Sequence, residues 1–515
     1  MLVHEFLEKS AGNNPGKTAL VCGSNRYSYL EIDWAANALA SGLLGDGFQR
    51  KDRAIIYLEN SAESVVSLFG VLKAGGIFAV IDPQVKARKL HTILENSEAT
   101  TLIVSPHLLA QVSDVVVDAQ SLRRIVVTGE VAAAGYERIG KKVLLYHEIV
   151  ARASSEKPPL DSIAVDLASL VYTSGSTGIP KGVMLTHINM VAAATSITQY
   201  LENTSDDIIL DTLPLAFDYG LYQVLMGFKC GGTVILEKGF VYPQQVINLV
   251  VREKVTGWPV VPTMAALLLR LKDLDTHDFS CLRYMTSTGQ AMPPNHLLKL
   301  QRIFPHVRIY SMYGLTECKR VSYLPPSELE RRPSSVGKAM PNTEVYIVDE
   351  NGGKITEANK SGELVVRGPN VMQGYWKLPQ ETDKALRPGF YPEEKVLFTG
   401  DLFKMDEEGF LYFLGRKDDI IKTSGHMVSP KEVENVLCEM EDILEAAVIG
   451  VDDDILGRAV AAFVNIAGGS TVTEKEIIAF CTERLESFAV PKRVIILDAL
   501  PKTGNGKICK QQLSA

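Results

Sequence analysis

The sequence predicts a mixed α/β protein with a large N-terminal part of several subdomains, a small antiparallel β unit within it, and a small α+β domain at the C-terminus. Helical patterns alternate with short β-branched runs over most of the 515 residues, which is typical of helices layered on buried sheets. From about Pro341 onward, short alternating runs are separated by Asn-Gly, Ser-Gly and Glu-Gly turns. This second pattern is typical of antiparallel hairpins.

The strands of the large sheets are predicted where β-branched residues cluster between turn residues. They are Arg53 to Leu58, Gly76 to Ile81, Thr101 to Val104, Ala168 to Tyr172, Ile208 to Asp211, Thr233 to Leu236 and Val307 to Tyr310. The most apolar stretch, Val65 to Ile81, is interrupted by Lys73, Gly75 and Gly76. It therefore predicts a core helix, a glycine stop and a buried strand, because a membrane span needs ~20 apolar residues.

A domain boundary is predicted near Lys417, where the charged stretch 417–419 follows the last hairpin. A helix is then expected, with Ser429 as its N-cap and Pro430 at its first position. The remaining elements of this module are two strand-like runs at 446–450 and 459–465 and a helix from Thr473. The predicted domains are residues 1–416 and 417–515.

Composition narrows the functional class. The chain has 53 Lys and Arg against 61 Asp and Glu, a formal net charge of −8, so it lacks the basic surface that binding to a nucleic-acid backbone requires. Its seven cysteines include no C-x-x-C pair, which favours a reducing cytoplasm over a disulfide framework or a zinc site. The N-terminus has neither a basic region nor a continuous apolar segment, so it does not predict a signal peptide.

The strongest chemical signal is the run from Tyr172 to His187, YTSGSTGIPKGVMLTH. It follows a predicted strand and combines hydroxyl side chains with glycines, which let backbone N–H groups approach an oxyanion, and with the cation of Lys181. A Walker A loop would need Gly-Lys followed by Ser or Thr, whereas here Pro180-Lys181-Gly182 stands. The run therefore predicts a phosphate-binding loop that is not of the P-loop type.

Further motifs follow along the chain. They are Tyr313-Gly314-Leu315-Thr316-Glu317, Phe398-Thr399-Gly400-Asp401, Gly415-Arg416-Lys417 and Pro501-Lys502-Thr503-Gly504-Asn505-Gly506-Lys507. An aromatic face suits a purine, and a carboxylate oxygen suits Mg²⁺. Together with the loop at 172–187, these motifs resemble the signature elements of the adenylate-forming superfamily, which includes acyl-CoA synthetases, nonribosomal-peptide adenylation domains and luciferase.

The resemblance implies an AMP-forming acid–thiol ligase. Such an enzyme would use ATP and Mg²⁺ to convert a small carboxylic acid into its acyl-adenylate with release of pyrophosphate. It would then transfer the acyl group to a pantetheine thiol, either of CoA or of a separate acyl or peptidyl carrier protein. The C-terminal domain is expected to be mobile, rotating at a hinge near Asp418 between the two steps, with Gly425 lining the pantetheine tunnel.

The resemblance also implies the roles of the motif residues. Tyr313 would stack on adenine, Thr316 would contact the α-phosphate, and Glu317 would hold Mg²⁺ together with Thr173. Asp401 and Arg416 would bind the ribose. The other expected nucleotide-binding residues are Thr173, Ser174, Gly175, Ser176, Thr177, Gly178, Lys181, Gly289, Gln290, Ala291, Met312 and Gly314.

Lys507 carries the central catalytic expectation. In the superfamily, the matching lysine bridges the attacking carboxylate and the α-phosphate. The physical need is plain, because two anions must meet in a water-poor site while negative charge develops at phosphorus. The catalytic residues are therefore expected to be Lys507, Glu317 and Thr316.

The acyl pocket leaves alternatives open at Asp218. The pair Phe217-Asp218 falls where many acyl- and aryl-CoA ligases have Phe-His and where amino-acid-activating members have Phe-Asp. A carboxylate in an apolar pocket is costly without a partner cation, which favours a substrate ammonium, but Asp218 could instead cap a helix that starts at Tyr219. The expected pocket residues are Phe217, Asp218, Trp258, Val261, Thr263 and Ser287.

The sequence leaves three alternative functions open. One is an amino-acid-activating ligase that loads a separate carrier protein, and another is a luciferase-like oxygenase, which light emission or oxygen uptake would reveal. The third is a non-catalytic nucleotide sensor. The presence of Glu317, Asp401 and Lys507 together argues against the sensor.

Overall fold

The computed structural model describes residues 1–129, 136, 139–159, 161–174, 180–272, 274–423, 426–453, 456–503 and 507–514. Within these ranges the helices are α1 (Glu5–Asn13), α2 (Tyr29–Gly45), α3 (Ala62–Lys73), α4 (Ala87–Ser97), α5 (Pro106–Asp118), α6 (Tyr146–Arg152), α7 (His187–Tyr200), α8 (Asp218–Cys230), α9 (Pro243–Arg252), α10 (Pro262–Leu268), α11 (Pro294–Ile303), α12 (Pro379–Ala385), α13 (Pro430–Leu437) and α14 (Glu474–Thr482). In this described part of the chain, every helix is too short or too polar to cross a membrane.

The first large sheet has nine strands. In spatial order they are β16 (Lys338–Ala339), β15 (Ser322–Tyr323), β14 (Arg308–Tyr313), β13 (Tyr284–Ser287), β12 (Gly257–Val260), β10 (Ile208–Asp211), β11 (Thr233–Leu236), β1 (Thr18–Cys22) and β2 (Asn25–Ser28). The strands from β14 to β1 run parallel. Short antiparallel strands close both edges.

The second large sheet has eight strands. In spatial order they are β19 (Gly374–Tyr375), β9 (Pro180–Thr186), β8 (Leu167–Ser174), β4 (Ile77–Val80), β3 (Arg53–Tyr57), β5 (Thr101–Val104), β6 (Arg124–Val127) and β7 (Lys142–Leu145). From β8 to β7 they are parallel, whereas β9 and β19 are antiparallel additions.

The predicted strands are all present, and two of them are longer than expected. β8 continues to Ser174 because it pairs along its length with β9. β14 continues to Tyr313 because its last residues pair with β15. The helix, glycine stop and buried strand predicted over Val65 to Ile81 are α3 and β4.

Two smaller units follow. The predicted antiparallel unit contains β17 (Glu344–Val348), β18 (Gly362–Arg367), β20 (Leu386–Pro388), β21 (Lys395–Met405) and β22 (Leu411–Arg416). The C-terminal unit contains β23 (Ile421–Thr423), β24 (His426–Val428), β25 (Ile443–Asp453), β26 (Gly457–Ile466) and β27 (Arg493–Ile496). Ser429 caps α13 by accepting a bond from the Glu432 N–H, and Pro430 is the first helical residue, as predicted.

The main core lies where helices pack between the two large sheets. Phe69 of α3 stacks on Phe228 of α8, with ring centroids 5.5 Å apart. Tyr29 of α2 packs edge-on against the same Phe228 ring. Because the faces of both parallel sheets are covered in this way, the carboxyl ends of their strands are the open edge at which a site can form.

Two histidines in this core predict a loss of stability in acid. His4 and His187 are both buried, their rings lie 5.9 Å apart, and the Nδ1 of His187 accepts a bond from the Val3 N–H. Burial lowers the pKa of His4 to about 3 and that of His187 to about 4. Since histidine in an unfolded chain binds a proton near pH ~6.5, each ring should cost about 1.4 kcal/mol of folding free energy per pH unit below that value.

Urea midpoints measured at pH 7.5, 6.0 and 5.0 would test this dependence. We expect the free energy of unfolding to fall with pH in the wild type and to fall less steeply in His187→Gln. His107→Gln is the matched control, because His107 lies on the surface. An equal slope in wild type and His187→Gln would contradict the assignment.

Candidate active site

The predicted motifs meet at the carboxyl ends of the parallel strands. Thr173 lies near the end of β8, Ser287 ends β13, and Tyr313 ends β14. In open α/β sheets this is the edge at which ligands bind. The site is therefore built from loops that leave both large sheets, and it is closed by residues from the two smaller units.

The turn after β14 is unusually tight. A Cβ at Gly314 would lie 2.3 Å from the Lys319 carbonyl oxygen, so only glycine fits at this position. Lys319 has a positive φ of 63°, which is uncommon for a residue other than glycine. The folded-back chain brings Thr316 and Glu317 to the sheet edge and directs Lys319 inward.

Tyr313, Asp401 and Arg416 form one connected group. The Tyr313 hydroxyl donates a hydrogen bond to Asp401 Oδ2, and Arg416 Nε lies 3.1 Å from Asp401 Oδ1. Asp401 and Arg416 are direct register partners on β21 and β22. Burial raises the pKa of Asp401 to about 6, although Arg416 and the bond from Tyr313 act in the opposite direction. A buried carboxylate beside an aromatic ring and a guanidinium is suited to accept hydroxyl hydrogen bonds.

Glu317 and Lys181 are linked through Tyr375. The Tyr375 hydroxyl donates to Glu317 Oε1 over 2.7 Å, and the Lys181 ammonium lies 5.4 Å from the centre of the Tyr375 ring. Lys181 Nζ also donates to Glu381 of α12 over 2.6 Å. Hydrogen bonds from Lys181 and then Lys384 lower the pKa of Glu381 to about 2. Lys181 is thus held at the edge of the site as a paired cation.

Lys507 reaches this group from the C-terminal unit. Its ammonium lies 5.2 Å from the centre of the Phe217 ring. Burial lowers the pKa of Lys507, while the carboxylates of Asp218, Glu317 and Asp401 oppose that shift. A Cβ at Gly289 would lie 3.1 Å from Phe217 and 3.7 Å from Lys507 Cε, and Gly289 has a φ of 92°. The glycine therefore leaves the space in which the lysine and the aromatic ring meet.

Two further contacts join the C-terminal unit to the larger part of the protein. Lys431 Nζ, at the start of α13, donates to the Ala291 carbonyl over 3.1 Å. Asn295 Nδ2, at the start of α11, donates to the Cys438 carbonyl over 3.1 Å. These two hydrogen bonds form in the same orientation of the C-terminal unit that places Lys507 at the site. We refer to them as the docking contacts.

A small cavity lies beside the docking contacts. It brings together four predicted site residues, namely Ser287, Gln290, Ala291 and Met312. Phe413 and Lys431 also line it. The cavity is thus formed jointly by the ends of β13 and β14, the antiparallel unit and α13.

Asp218 already has a cation of the chain as its partner. Lys319 Nζ donates to the Asp218 carbonyl over 2.6 Å and lies 3.5 Å from Asp218 Oδ2. The same ammonium lies 4.4 Å from the centre of the Tyr222 ring. Burial lowers the pKa of Lys319 to about 7, and Asp218 acts against that shift. The premise that Asp218 lacks a partner within the chain is therefore wrong.

The helix-capping interpretation of Asp218 is also wrong. Asp218 is the first residue of α8, Phe217 occupies the N-cap position, and the helix has no side-chain cap bond. The other predicted wall residues lie on neighbouring elements. Trp258 is buried on β12, Val261 precedes α10, and Thr263 lies in its first turn.

Several predicted residues lie outside the described part of the chain. They are Gly175, Ser176, Thr177, Gly178 and Gly425. For Ser174 the structure describes the strand but not the side chain.

Three residues of this site did not follow from the motifs. Lys319 and Tyr375 contact the predicted residues Asp218 and Glu317, and Glu381 pairs with Lys181. Lys319 stands only two positions after Glu317, so its closeness to this motif could have indicated that it belongs to the site. The sequence offers no comparable signal for Glu381.

The fold and the site define an ATP-dependent ligase of the adenylate-forming superfamily. The profile of the AMP-binding enzyme family matches residues 7–376, and that of the AMP-binding enzyme C-terminal domain matches residues 432–507. The chain belongs to the AMP-binding enzyme family.

Relatives of known activity cover nearly the whole chain. A long-chain-fatty-acid–CoA ligase of Bacillus subtilis is 31% identical, over 99% of this chain and 94% of its own length. An indoleacetate–CoA ligase of Aromatoleum aromaticum is 30% identical, over 100% of this chain and 98% of its own. The solved anthranilate CoA ligase AuaEII, in complex with anthranoyl-AMP, superposes with a TM-score of 0.90 at 27% identity, covering 99% of this chain and 95% of that one.

The predicted membership of the adenylate-forming superfamily, the fold class and the enzyme class are thereby confirmed. The protein is an AMP-forming acid–thiol ligase of the acyl-CoA synthetase type. It activates a carboxylic acid as its adenylate and passes the acyl group to a thiol.

Proposed function

We propose that this protein is an acid–CoA ligase whose substrate carries no amino group at the Asp218 end of the pocket, and that Lys507 is its adenylation lysine. The observation that carries this proposal is the position of Lys507 over Phe217, near the carboxylates of Asp218, Glu317 and Asp401. The pairing of Asp218 with Lys319 supports the second part. A substrate ammonium would compete with a cation that the chain already supplies.

The chain's own residues divide the work of the first step. Tyr313, Asp401 and Arg416 hold the nucleoside, with Asp401 accepting from the ribose hydroxyls. Lys507 lies between the acyl pocket and the phosphates, where it neutralises both the attacking carboxylate and the negative charge that develops at phosphorus. The buried surroundings strengthen this interaction, because charges interact more strongly where water is excluded.

Glu317 is the residue best suited to hold Mg²⁺. One carboxylate oxygen accepts from Tyr375, which orients the group, and carboxylate oxygen is the ligand that Mg²⁺ prefers. Mg²⁺ in nucleotide sites usually takes one or two carboxylates plus substrate phosphates. The donor set of Glu317 with the Thr173 hydroxyl fits that pattern, and the ion would supply charge neutralisation of the phosphates.

Free CoA is proposed as the acceptor, with the cytoplasm as the compartment. The relatives that span the chain are named as CoA ligases. The seven cysteines are free, which suits a reducing compartment.

Pyrophosphate exchange and thioester formation test the proposal together. Wild-type protein is incubated with ATP, Mg²⁺ and panels of fatty, aryl and amino acids, with either CoA or a phosphopantetheinylated carrier protein as acceptor. We expect exchange with acids that lack an amino group and formation of their CoA thioesters, identified by mass. Exchange restricted to amino acids, or thioester formed only on the carrier, would contradict the proposal.

The hinge prediction concerns Asp418, which is exposed in the turn between β22 and β23. Rotation of the C-terminal domain requires a change of φ and ψ at the hinge, whereas proline fixes φ near about −65°. We therefore expect Asp418→Pro to keep pyrophosphate exchange, while the rate of overall thioester formation falls more than about tenfold. Such a fall corresponds to a rise of over ~1.4 kcal/mol in the activation barrier. Both half-reactions are measured on one folded preparation.

Asp418→Ala is the control for the side chain, because it leaves the backbone free to rotate. It should retain both half-reactions. Wild-type rates of both steps in Asp418→Pro would place the hinge elsewhere.

A further inference from the structure

Arg320 is a fully buried cation to which the proposed reaction assigns no role. It directly follows Lys319, its exposed fraction is 2%, and its Nε and Nη1 atoms find no hydrogen-bond partner among the described residues. Buried polar atoms are nearly always hydrogen-bonded in proteins, and an unpaired buried charge is far more costly than an unpaired neutral group. The unsatisfied guanidinium therefore calls for a ligand.

The neighbours of Arg320 are aromatic. Its guanidinium carbon lies 5.5 Å from the centre of the Tyr219 ring. Burial raises the pKa of Tyr200 to about 12, although the charge of Arg320 and a hydrogen bond between the two side chains oppose that shift. These rings provide a favourable face for the cation, but they leave its positive charge uncompensated.

The nearby carboxylates do not balance this charge. Asp218 is already paired with Lys319. Burial raises the pKa of Asp211 well above its usual value, which disfavours its charged form. Among the described residues no carboxylate forms an ion pair with Arg320.

Arg320 lies close to one of the residues expected to form the acyl pocket. Tyr219, which it faces, directly follows Asp218 in the first turn of α8, and the Tyr200 hydroxyl bonds to Met312 Sδ over 3.0 Å. Asp218 is one of the expected acyl-pocket residues, and Met312 is one of the expected nucleotide-binding residues. The Lys507 ammonium lies 5.2 Å from the centre of the Phe217 ring, directly before this turn. A substrate whose reacting carboxylate lies at Lys507 would thus extend toward Arg320.

We propose that Arg320 binds a second carboxylate of the substrate, so that the enzyme activates a dicarboxylic acid in preference to the corresponding monocarboxylic acid. This inference rests on the proposed ligase function and names its substrate class. A carboxylate of the substrate supplies the ion-pair partner that Arg320 lacks among the described residues. The guanidinium can donate a charge-assisted hydrogen bond to it from Nε or from Nη1, the two nitrogens that have no partner among the described residues.

The first test compares matched acids. Linear monocarboxylic and dicarboxylic acids of four to twelve carbons, and benzoate with its carboxy-substituted forms, are assayed by pyrophosphate release with CoA. At the best chain length we expect kcat/KM to favour the diacid by about 10- to 100-fold, the range for a hydrogen bond to a charged group. In Arg320→Met this preference should disappear, mainly through a higher KM for the diacid, and Arg320→Lys should restore part of it.

The second test separates a binding role from a structural one. Replacing an unpaired buried charge by an apolar side chain of similar size is often neutral or stabilising. The urea midpoint of ligand-free Arg320→Met should therefore equal or exceed that of the wild type. The matched control is Arg332→Met, since Arg332 is also buried but is paired with Glu328, Asp406 and Glu408. That variant should lose stability and keep the diacid preference.

The outcomes distinguish the inference from the function on which it rests. Efficient activation of monoacids, with diacids rejected at every length, would overturn the role of Arg320 and leave the ligase assignment standing. A lowered urea midpoint in Arg320→Met with unchanged selectivity would show that the arginine is structural and would also overturn it. No AMP formation with any acid would overturn both.

Discussion

Lys507→Ala should abolish most adenylate formation and leave the second half-reaction largely intact. The substitution removes one preorganised electrostatic contact at the developing charge, which is typically worth ~3–4 kcal/mol or about 10²–10³ in rate. The lysine is partly buried, beside Phe217 and near three carboxylates, so its ammonium is partly shielded from water. Pyrophosphate exchange should therefore fall by at least that factor.

Thioester formation from presynthesised acyl-adenylate is the discriminating measurement. Under the proposed rotation, Lys507 leaves the site before the thiol attacks, so this rate should remain near that of the wild type. Lys502→Ala is the matched control in the same segment, because Lys502 pairs with Glu445 at 2.9 Å instead of reaching the site. An equal loss of both half-reactions in a folded Lys507→Ala protein would refute the assignment.

Asp218→Ala should destabilise the fold through Lys319 instead of through the substrate. Truncation leaves the buried Lys319 ammonium without its counter-charge, and breaking a buried ion pair from one side costs up to about 3–5 kcal/mol. The Asp218 carbonyl remains as a hydrogen-bond acceptor, so part of the contact survives. Urea denaturation of wild type and variant measures the difference.

The unfolding free energy lost in Asp218→Ala should be larger at low pH than at high pH. Burial already lowers the pKa of Lys319 to about 7, so above that value the side chain can escape the penalty by losing its proton. Below that pH, the Lys319 ammonium of the wild type is paired with Asp218. In the variant, Lys319 must either stay neutral or carry an unpaired buried charge, which costs folding free energy. The difference in unfolding free energy should therefore be larger at pH 6 than at pH 9.

A double variant separates the two roles considered for Asp218. Asp218→Ala with Lys319→Met removes both charges and should recover most of the lost stability. If Asp218 instead held a substrate ammonium, Asp218→Ala would abolish activation of amino acids and spare their deaminated analogues, with little change in the urea midpoint. That pattern would overturn the structural pairing as the main role.

Local rules explain what the sequence could predict. Ser429 and Pro430 act within one helical turn, and the strands and hairpins follow from alternation and turn residues, so these elements were predicted before their packing was known. The motif at 313–317 was informative for a similar reason, since Tyr313 and Glu317 lie within one folded-back turn. Asp401 and Arg416, which the family resemblance assigns to the ribose, stand opposite each other on consecutive strands of one hairpin.

Long-range pairing explains what the sequence missed. The partners Asp218 and Lys319 are 101 residues apart, and Lys181 and Glu381 are 200 residues apart. Neither pair leaves a trace in local periodicity, because their contacts depend on how separate sheets and helices come together. The cost of burying Asp218 was judged from the sequence without the cation that the fold supplies, Lys319.

The docking contacts would affect the balance between the two orientations that are proposed for the C-terminal domain. Both are hydrogen bonds to main-chain carbonyls; the bond from the Asn295 amide is worth about 0.5–1.5 kcal/mol net, and the bond from the charged Lys431 about 1.5–3 kcal/mol. Together they would bias a two-state equilibrium by roughly 30- to 2,000-fold, which a ligand with a differential affinity of the same size can offset. Occupancy of the site by ATP or by the acyl-adenylate would then decide which orientation predominates.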